Sequence, residues 1–174
     1  SRSKIKVLKN LLIKSFLYIY KPNMQECEKS EVSEFSNFEE FFTRKLLPNS
    51  RYIDNSISKE IISPVDGIIV NSGRIKGETL IQAKGINYSL TSLVQNQEIE
   101  DPFNDGWFVT IYLAPSDYHR IHFPYAGEIK ETKYLRGDLN SVNLGAIRKI
   151  HSLYAKNERT LLYLESKELN YAII

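Results

Sequence analysis

Trp107-Phe108-Val109-Thr110-Ile111-Tyr112-Leu113 decides the fold, because every residue in this run is aromatic, β-branched or aliphatic, the composition of a sheet strand. The same texture recurs on both sides of it. Gly67-Ile-Ile-Val-Asn-Ser-Gly73 and Thr79-Leu-Ile-Gln-Ala83 precede it, and Gly127 to Leu135, Thr160-Leu-Leu-Tyr-Leu164 and Tyr171-Ala-Ile-Ile174 follow. Gly, Pro, Asn and Asp turns separate these runs, and only Tyr88 to Val94 reads as helical between them. The expected class is α+β, with N-terminal amphipathic helices followed by a mostly antiparallel β core, sandwich or barrel-like. The division expected is residues 1–50 as a helical segment and 51–174 as a β-rich core.

Upstream of the strands the charge is uneven. Ser1 to Pro22 carries Arg2, Lys4, Lys6, Lys9, Lys14 and Lys21 and no acid, whereas Glu26 to Glu40 carries six glutamates and one lysine. Ile5, Leu8, Leu12, Phe16 and Ile19 recur at helical spacing, and Leu11, Ile13, Leu17, Tyr18 and Tyr20 widen the apolar surface. A basic helix with a broad apolar face suits a membrane surface, and equally a helix docked on its own domain with its lysines in solvent. Pro22 ends it. Ser36-Asn37-Phe38-Glu39-Glu40 offers a cap and an acidic first turn for a short helix through Phe38, Phe41 and Phe42, which stops before Pro48.

Composition narrows the function. With 42% hydrophobic and 25% charged residues over 174 positions, the chain has globular values and enough length for one domain with a core. A formal charge of +2 gives no electrostatic case for nucleic acid. The single cysteine, Cys27, rules out an intrachain disulfide and a Cys-based zinc site. No run approaches the roughly 20 apolar residues that span a bilayer.

Three polar clusters can carry chemistry. Ser63-Pro-Val-Asp66-Gly67 places an acid in a tight turn ahead of a strand, although Asp-Gly also makes plain Asx turns. Asp117-Tyr118-His119-Arg120-Ile121-His122-Phe123-Pro124 holds two of the three histidines. Helical spacing would let His119 and His122 share a metal, but Pro124 argues against a helix, and an extended segment turns the two rings to opposite faces. Proton transfer toward a hydroxyl nucleophile, by one imidazole that a carboxylate orients, is the better use. The third cluster, Gly137-Asp138-Leu139-Asn140-Ser141-Val142-Asn143 with Asn157-Glu158-Arg159, is either a solvated loop or the wall of a polar pocket. Ser141 lacks the flanking glycines of a nucleophile elbow.

Taken together, these segments resemble phosphatidylserine decarboxylases. The stretches that carry the resemblance are Phe41-Phe-Thr-Arg-Lys-Leu46, Ser63-Pro-Val-Asp-Gly67, Gln82-Ala-Lys-Gly-Ile-Asn-Tyr-Ser-Leu90, Phe108-Val-Thr-Ile-Tyr-Leu113, Asp117-Tyr-His-Arg-Ile-His-Phe-Pro124, Gly137-Asp-Leu139, Ser141-Val-Asn143 and Asn157-Glu-Arg159. They occur in family order over some two-thirds of the chain. The resemblance implies a self-made pyruvoyl group, formed when a serine in a Leu-Gly-Ser-Thr-like motif attacks the preceding peptide carbonyl. It implies that Asp66 orients His122, that His122 deprotonates that serine, and that His119 serves the decarboxylation step. The pyruvoyl ketone then forms a Schiff base with phosphatidylserine, which leaves as phosphatidylethanolamine and CO2. The expected partners are the phospholipid, a membrane surface bound by the basic helix, the α chain bearing the pyruvoyl group and a second αβ unit as a homodimer. The expected location is peripheral, on the cytoplasmic face of a bacterial inner membrane or on a eukaryotic organelle membrane.

No Leu-Gly-Ser-Thr occurs in these 174 residues, and Asn143-Leu-Gly-Ala146 has alanine where the nucleophile would stand. The pyruvoyl-forming serine is therefore expected beyond residue 174, so that this stretch alone would be inactive. The alternatives are a non-catalytic lipid-binding paralogue without the serine, and a related decarboxylase for another serine lipid or a free amino acid.

Overall fold

The computed structural model describes residues 6–53, 60–77, 79–83, 86–95 and 101–174. They form two compact units, one from residues 1–68 with 113–125, the other from 69–112 with 126–174.

The first unit is mainly helical. Helix α1 (Lys6–Tyr20) is followed by a 3-10 turn (Val32–Glu34) and helix α2 (Phe38–Phe42). The Asn37 side chain caps α2 by accepting the Glu40 N–H, and Glu39 and Glu40 supply the negative charge that a first turn favours. Ile13, Phe35 and Phe41 are buried together, with Phe16 edge-on to Phe41 at 5.5 Å. Full burial of Phe41 alone stabilises the unit by about 2–3 kcal/mol.

Helix α1 docks in an unexpected way. One of its lysines, Lys9, is buried and donates Nζ to the carbonyls of Val32 at 2.8 Å and Phe35 at 2.7 Å. Val7, Leu11, Tyr18 and Ile19 face outward, 78%, 60%, 82% and 64% exposed. No described helix is long and apolar enough to cross a membrane.

The second unit holds the strands: β1 (Ile68–Arg74), β2 (Thr79–Ala83), β3 (Ile86–Ser89), β4 (Trp107–Tyr112), β5 (Glu128–Leu135), β6 (Arg159–Glu165) and β7 (Asn170–Ile173). Strand β1 pairs with β4, β2 with β3 antiparallel, and β5, β6 and β7 form an antiparallel ribbon in that order. The α+β class and the antiparallel pairing match expectation. The barrel-like alternative does not hold among the described residues. Closure needs a hydrogen-bonded register that returns to its first strand, and these strands divide into three separate open sheets.

Two further elements differ from expectation. Tyr88 and Ser89 belong to β3, so the helix α3 covers only Leu90–Val94, with the Ser89 hydroxyl accepting the Ser92 N–H as its cap. Short helices α4 (Leu144–Ile147) and α5 (Leu153–Lys156) interrupt a stretch without helical periodicity. The core of this unit is Ile75, Tyr88, Leu90, Leu93, Val94, Leu161 and Tyr163.

Candidate active site

The histidine loop belongs to the first unit, where its shape comes from an acid and two arginines. Asp117 turns the chain: its carboxylate accepts the Ala114 N–H at 2.7 Å, and its own N–H donates to the Ala114 carbonyl at 2.9 Å. Arg44, buried just after α2, donates Nη2 to the carbonyls of Ser116 at 2.7 Å and Asp117 at 3.2 Å. In the other direction, Arg120 donates Nε to the Thr43 carbonyl at 2.8 Å. Each arginine thus fastens the other's segment, a task suited to a planar, permanently charged group. The Arg44 guanidinium also lies 5.9 Å from the Phe41 ring centre.

The second cluster meets the first along the backbone. His122 N–H donates to the Pro64 carbonyl at 2.8 Å, and Ile62 N–H donates to the Pro124 carbonyl at 3.0 Å. Residues 62–64 therefore lie beside residues 122–124, which brings the Asp66 turn and His122 together in the fold although 56 positions separate them in the sequence.

Their side chains, however, have other partners. Asp66 accepts Nε of Arg51 at 3.0 Å on each oxygen and Nη2 at 2.5 Å. Nη1 of Arg51 holds Glu26 at 2.7 Å. The two carboxylates, Asp66 above all, hold the Arg51 guanidinium more firmly protonated than a free arginine. Nε2 of His122 lies 3.0 Å from Oη of Tyr118, with the two rings stacked at 5.6 Å and 25°. No hydrogen bond joins Asp66 to His122 among the described residues.

His119 has a different setting. Its Nδ1 is 3.0 Å from the Asp117 carbonyl oxygen, which can only accept, so Nδ1 carries the proton and Nε2 is the nitrogen left for exchange. Its ring packs on Phe42 at 4.1 Å. An open cleft of about 350 Å³ lies beside the loop, with Lys45, Arg51, Tyr118, Arg120 and His122 among its lining residues. Among the described residues no group of three or more His, Cys, Asp or Glu side chains is arranged to hold a metal.

The third polar cluster lies in the second unit, where its side chains hydrogen-bond to neighbouring backbone. Asn157 donates Nδ2 to the Asn140 carbonyl at 2.7 Å and accepts the Asn140 N–H at 3.2 Å. Arg159 donates to the carbonyls of Ser92, Leu93, Ala155 and Asn157, each at 2.8 Å. Gly137 is needed where these segments cross, since a Cβ there would sit 2.2 Å from the Lys156 carbonyl oxygen. Ser141 Oγ accepts from Asn143 at 3.0 Å.

The sequence singles out Asp66, His119 and His122 as candidates but not the contacts that Arg51 and Tyr118 make with them. Arg51 sits in no recognisable pattern. Tyr118 lies four positions before His122 inside the quoted motif, and that proximity was the available signal.

An α+β chain with an acid turn laid against a two-histidine loop defines a candidate proton-transfer site. The family model described as phosphatidylserine decarboxylase matches residues 38–174, and the chain belongs to that family. It is 38% identical over 167 residues to the phosphatidylserine decarboxylase proenzyme of Psychrobacter cryohalolentis, covering 96% of this chain and 60% of that protein. The corresponding proenzyme of Marinobacter nauticus is 42% identical over 161 residues, 92% of this chain and 56% of that protein. That of Alcanivorax borkumensis is 35% identical, covering 100% of this chain and 60% of that protein. The chain thus spans about three-fifths of the length of these curated relatives.

Proposed function

We propose that the complete protein containing this chain converts phosphatidylserine to phosphatidylethanolamine and CO2, on a pyruvoyl group made from a serine beyond residue 174. The observation that carries this reading is the meeting of the two motif segments, His122 N–H on the Pro64 carbonyl at 2.8 Å, which brings the Asp66 turn beside the histidine loop. The similarity to proteins named phosphatidylserine decarboxylase proenzyme supports it.

The residues present fit a group carried on another stretch of chain. The cleft is open, and His122, exposed on its wall, has one ring nitrogen outside any hydrogen bond among the described residues. When bound, a pyruvoyl group supplies the electron sink that decarboxylation needs. His122 takes the proton of the serine hydroxyl during self-cleavage, and Asp66 is the carboxylate that orients or balances it. His119, with Nδ1 tied to the Asp117 carbonyl, moves a proton at Nε2 during turnover.

The substrate is a lipid, and α1 supports a membrane surface as its location. Its outward apolar residues Val7, Leu11, Tyr18 and Ile19 lie on one helix with the exposed Lys6 and Lys14, the pairing that binds an anionic bilayer face. Peripheral attachment at a cytoplasmic membrane face, an α chain partner and pairing of two αβ units complete the reading.

The test is product analysis of the complete protein with carboxyl-labelled phosphatidylserine, free serine and free tryptophan. Release of labelled CO2 from the phospholipid alone is the expected result. Turnover of a free amino acid only would overturn the lipid assignment, and no turnover of any of them would favour a non-catalytic lipid-binding protein.

A further inference from the structure

The histidine loop carries a hydroxyl that the reading above leaves without a task. Tyr118 is 9% exposed, so its ring is fixed by the surrounding packing, whereas His122 is exposed. Its Oη lies 3.0 Å from Nε2 of His122, and the stacked rings share an orientation to within 25°. Among the described residues this is the only hydrogen bond that either side chain makes. Asp66, the carboxylate that would otherwise orient the imidazole, is held by Arg51 through both oxygens.

A phenol can donate to an imidazole nitrogen or accept from it, and the direction has chemical consequences. If Tyr118 donates, the Nε2 lone pair is occupied and the neutral ring carries its proton on Nδ1, leaving no lone pair to act as a base. If Tyr118 accepts from Nε2–H, the lone pair remains on Nδ1. The contact and a base role for His122 agree only in the second case.

We propose that Tyr118 is the positioning residue for His122, its hydroxyl accepting Nε2–H so that Nδ1 presents its lone pair as the base for self-cleavage. This rests on the reading of His122 as that base. The proton of the attacking hydroxyl passes to Nδ1 and its oxygen bonds the carbonyl carbon as the π pair moves to the carbonyl oxygen; the C–N bond then breaks, and its nitrogen takes the proton back from Nδ1. The imidazolium formed between these steps keeps its Nε2–H on Oη of Tyr118. The phenol ring, stacked on the imidazole, restricts rotation about the bond that would carry Nδ1 out of line. The arrangement follows the orienter–base–nucleophile logic, with a buried neutral hydroxyl as the immediate orienter.

The experiment compares Tyr118→Phe and His122→Ala with the parent in the complete protein, following the appearance of two chains on a denaturing gel during cell-free synthesis. Phenylalanine keeps the buried ring and removes only the hydroxyl. Tyr118→Phe is expected to slow cleavage by about tenfold, the loss of one orienting hydrogen bond. In 15N spectra of histidine-labelled protein, His122 is expected to lose its preference for the Nε2–H tautomer in the same variant. A parental rate for Tyr118→Phe, with His122→Ala blocked, would overturn the proposal and leave the base assignment standing. Slow cleavage with the parental tautomer population would also overturn it, since that marks a packing role alone. Normal cleavage by His122→Ala would instead remove the base assignment itself.

Discussion

Arg51 grips Asp66 with a guanidinium fork, Nε at 3.0 Å from each carboxylate oxygen and Nη2 at 2.5 Å from one of them. The acid that the family resemblance pairs with His122 is therefore engaged by a cation fifteen positions upstream, although its backbone neighbour Pro64 is hydrogen-bonded to His122. For Asp66 to balance the charge that develops on His122, the carboxylate must leave Arg51. Arg51→Gln releases it. Both ion pairs of Arg51 are partly exposed, so each contributes no more than about 1 kcal/mol. We expect a small loss in urea unfolding and self-cleavage at least as fast as the parent's. Abolished cleavage in a folded Arg51→Gln protein would contradict this account of the grip.

His119 and His122 share one loop but have different partners, and their variants should separate. His119→Ala should leave cleavage intact and lower decarboxylation by about 10²-fold or more, the contribution of a positioned proton donor. The measurement is turnover per cleaved protein, so that incomplete maturation does not enter. A fully active His119→Ala protein would remove that residue from the turnover step.

The division between what was readable in the sequence and what was not follows from the range of the interactions. Strand β2 begins and ends where its composition indicated, and α2 starts after Asn37, because local patterning and a cap act within a few residues. Strand β3 took Tyr88 and Ser89 from the expected helix because pairing with Leu80 and Thr79 outweighs weak local preference. The β1–β4 and β5–β6 pairings join segments far apart in the sequence, which no local pattern encodes. Asp66, His119 and His122 could be named through motif order, yet the Arg51 and Tyr118 contacts are details of side-chain geometry. Lys9 was counted with the basic surface, but the carbonyls of Val32 and Phe35 hold it inside.

That last point separates two kinds of lysine on α1. Lys6 and Lys14 are exposed beside the outward apolar residues, whereas Lys9 is a buried anchor. Lys6→Gln with Lys14→Gln should weaken binding to vesicles containing phosphatidylserine by about tenfold or more at low salt, at about 1 kcal/mol per lysine near an anionic surface. Lys9→Met should instead lower thermal stability, because it leaves two carbonyls without their donor. Sedimentation with vesicles distinguishes the two effects. Unchanged binding by the double variant would remove the electrostatic part of the membrane reading.

Acid stability should carry a signature of Glu40. Its carboxylate is held down to about 2, first by the Lys29 ammonium and then by the Ser36 N–H, against the usual 4.5. A folded-state value below the unfolded one gives stability that is fully present above about pH 4.5. That stability is lost as the pH falls toward 2. Because the pair is about a third exposed, solvent screening keeps this contribution small. Urea midpoints from pH 6 down to 2 should fall less steeply in Glu40→Gln than in the parent over that window. Identical slopes would show that the Lys29 pairing contributes nothing.

The central claim is that His122, aided by the Asp66 turn, activates the protein that contains this chain. Its most direct test is a denaturing gel of the complete protein, with carbonyl labelling of any new N-terminus by a hydrazine probe. The account predicts two chains for the parent, the smaller one hydrazine-reactive, and a single uncleaved, unlabelled chain for both His122→Ala and Asp66→Ala. Two labelled chains in both variants, at the parent's rate, would contradict it.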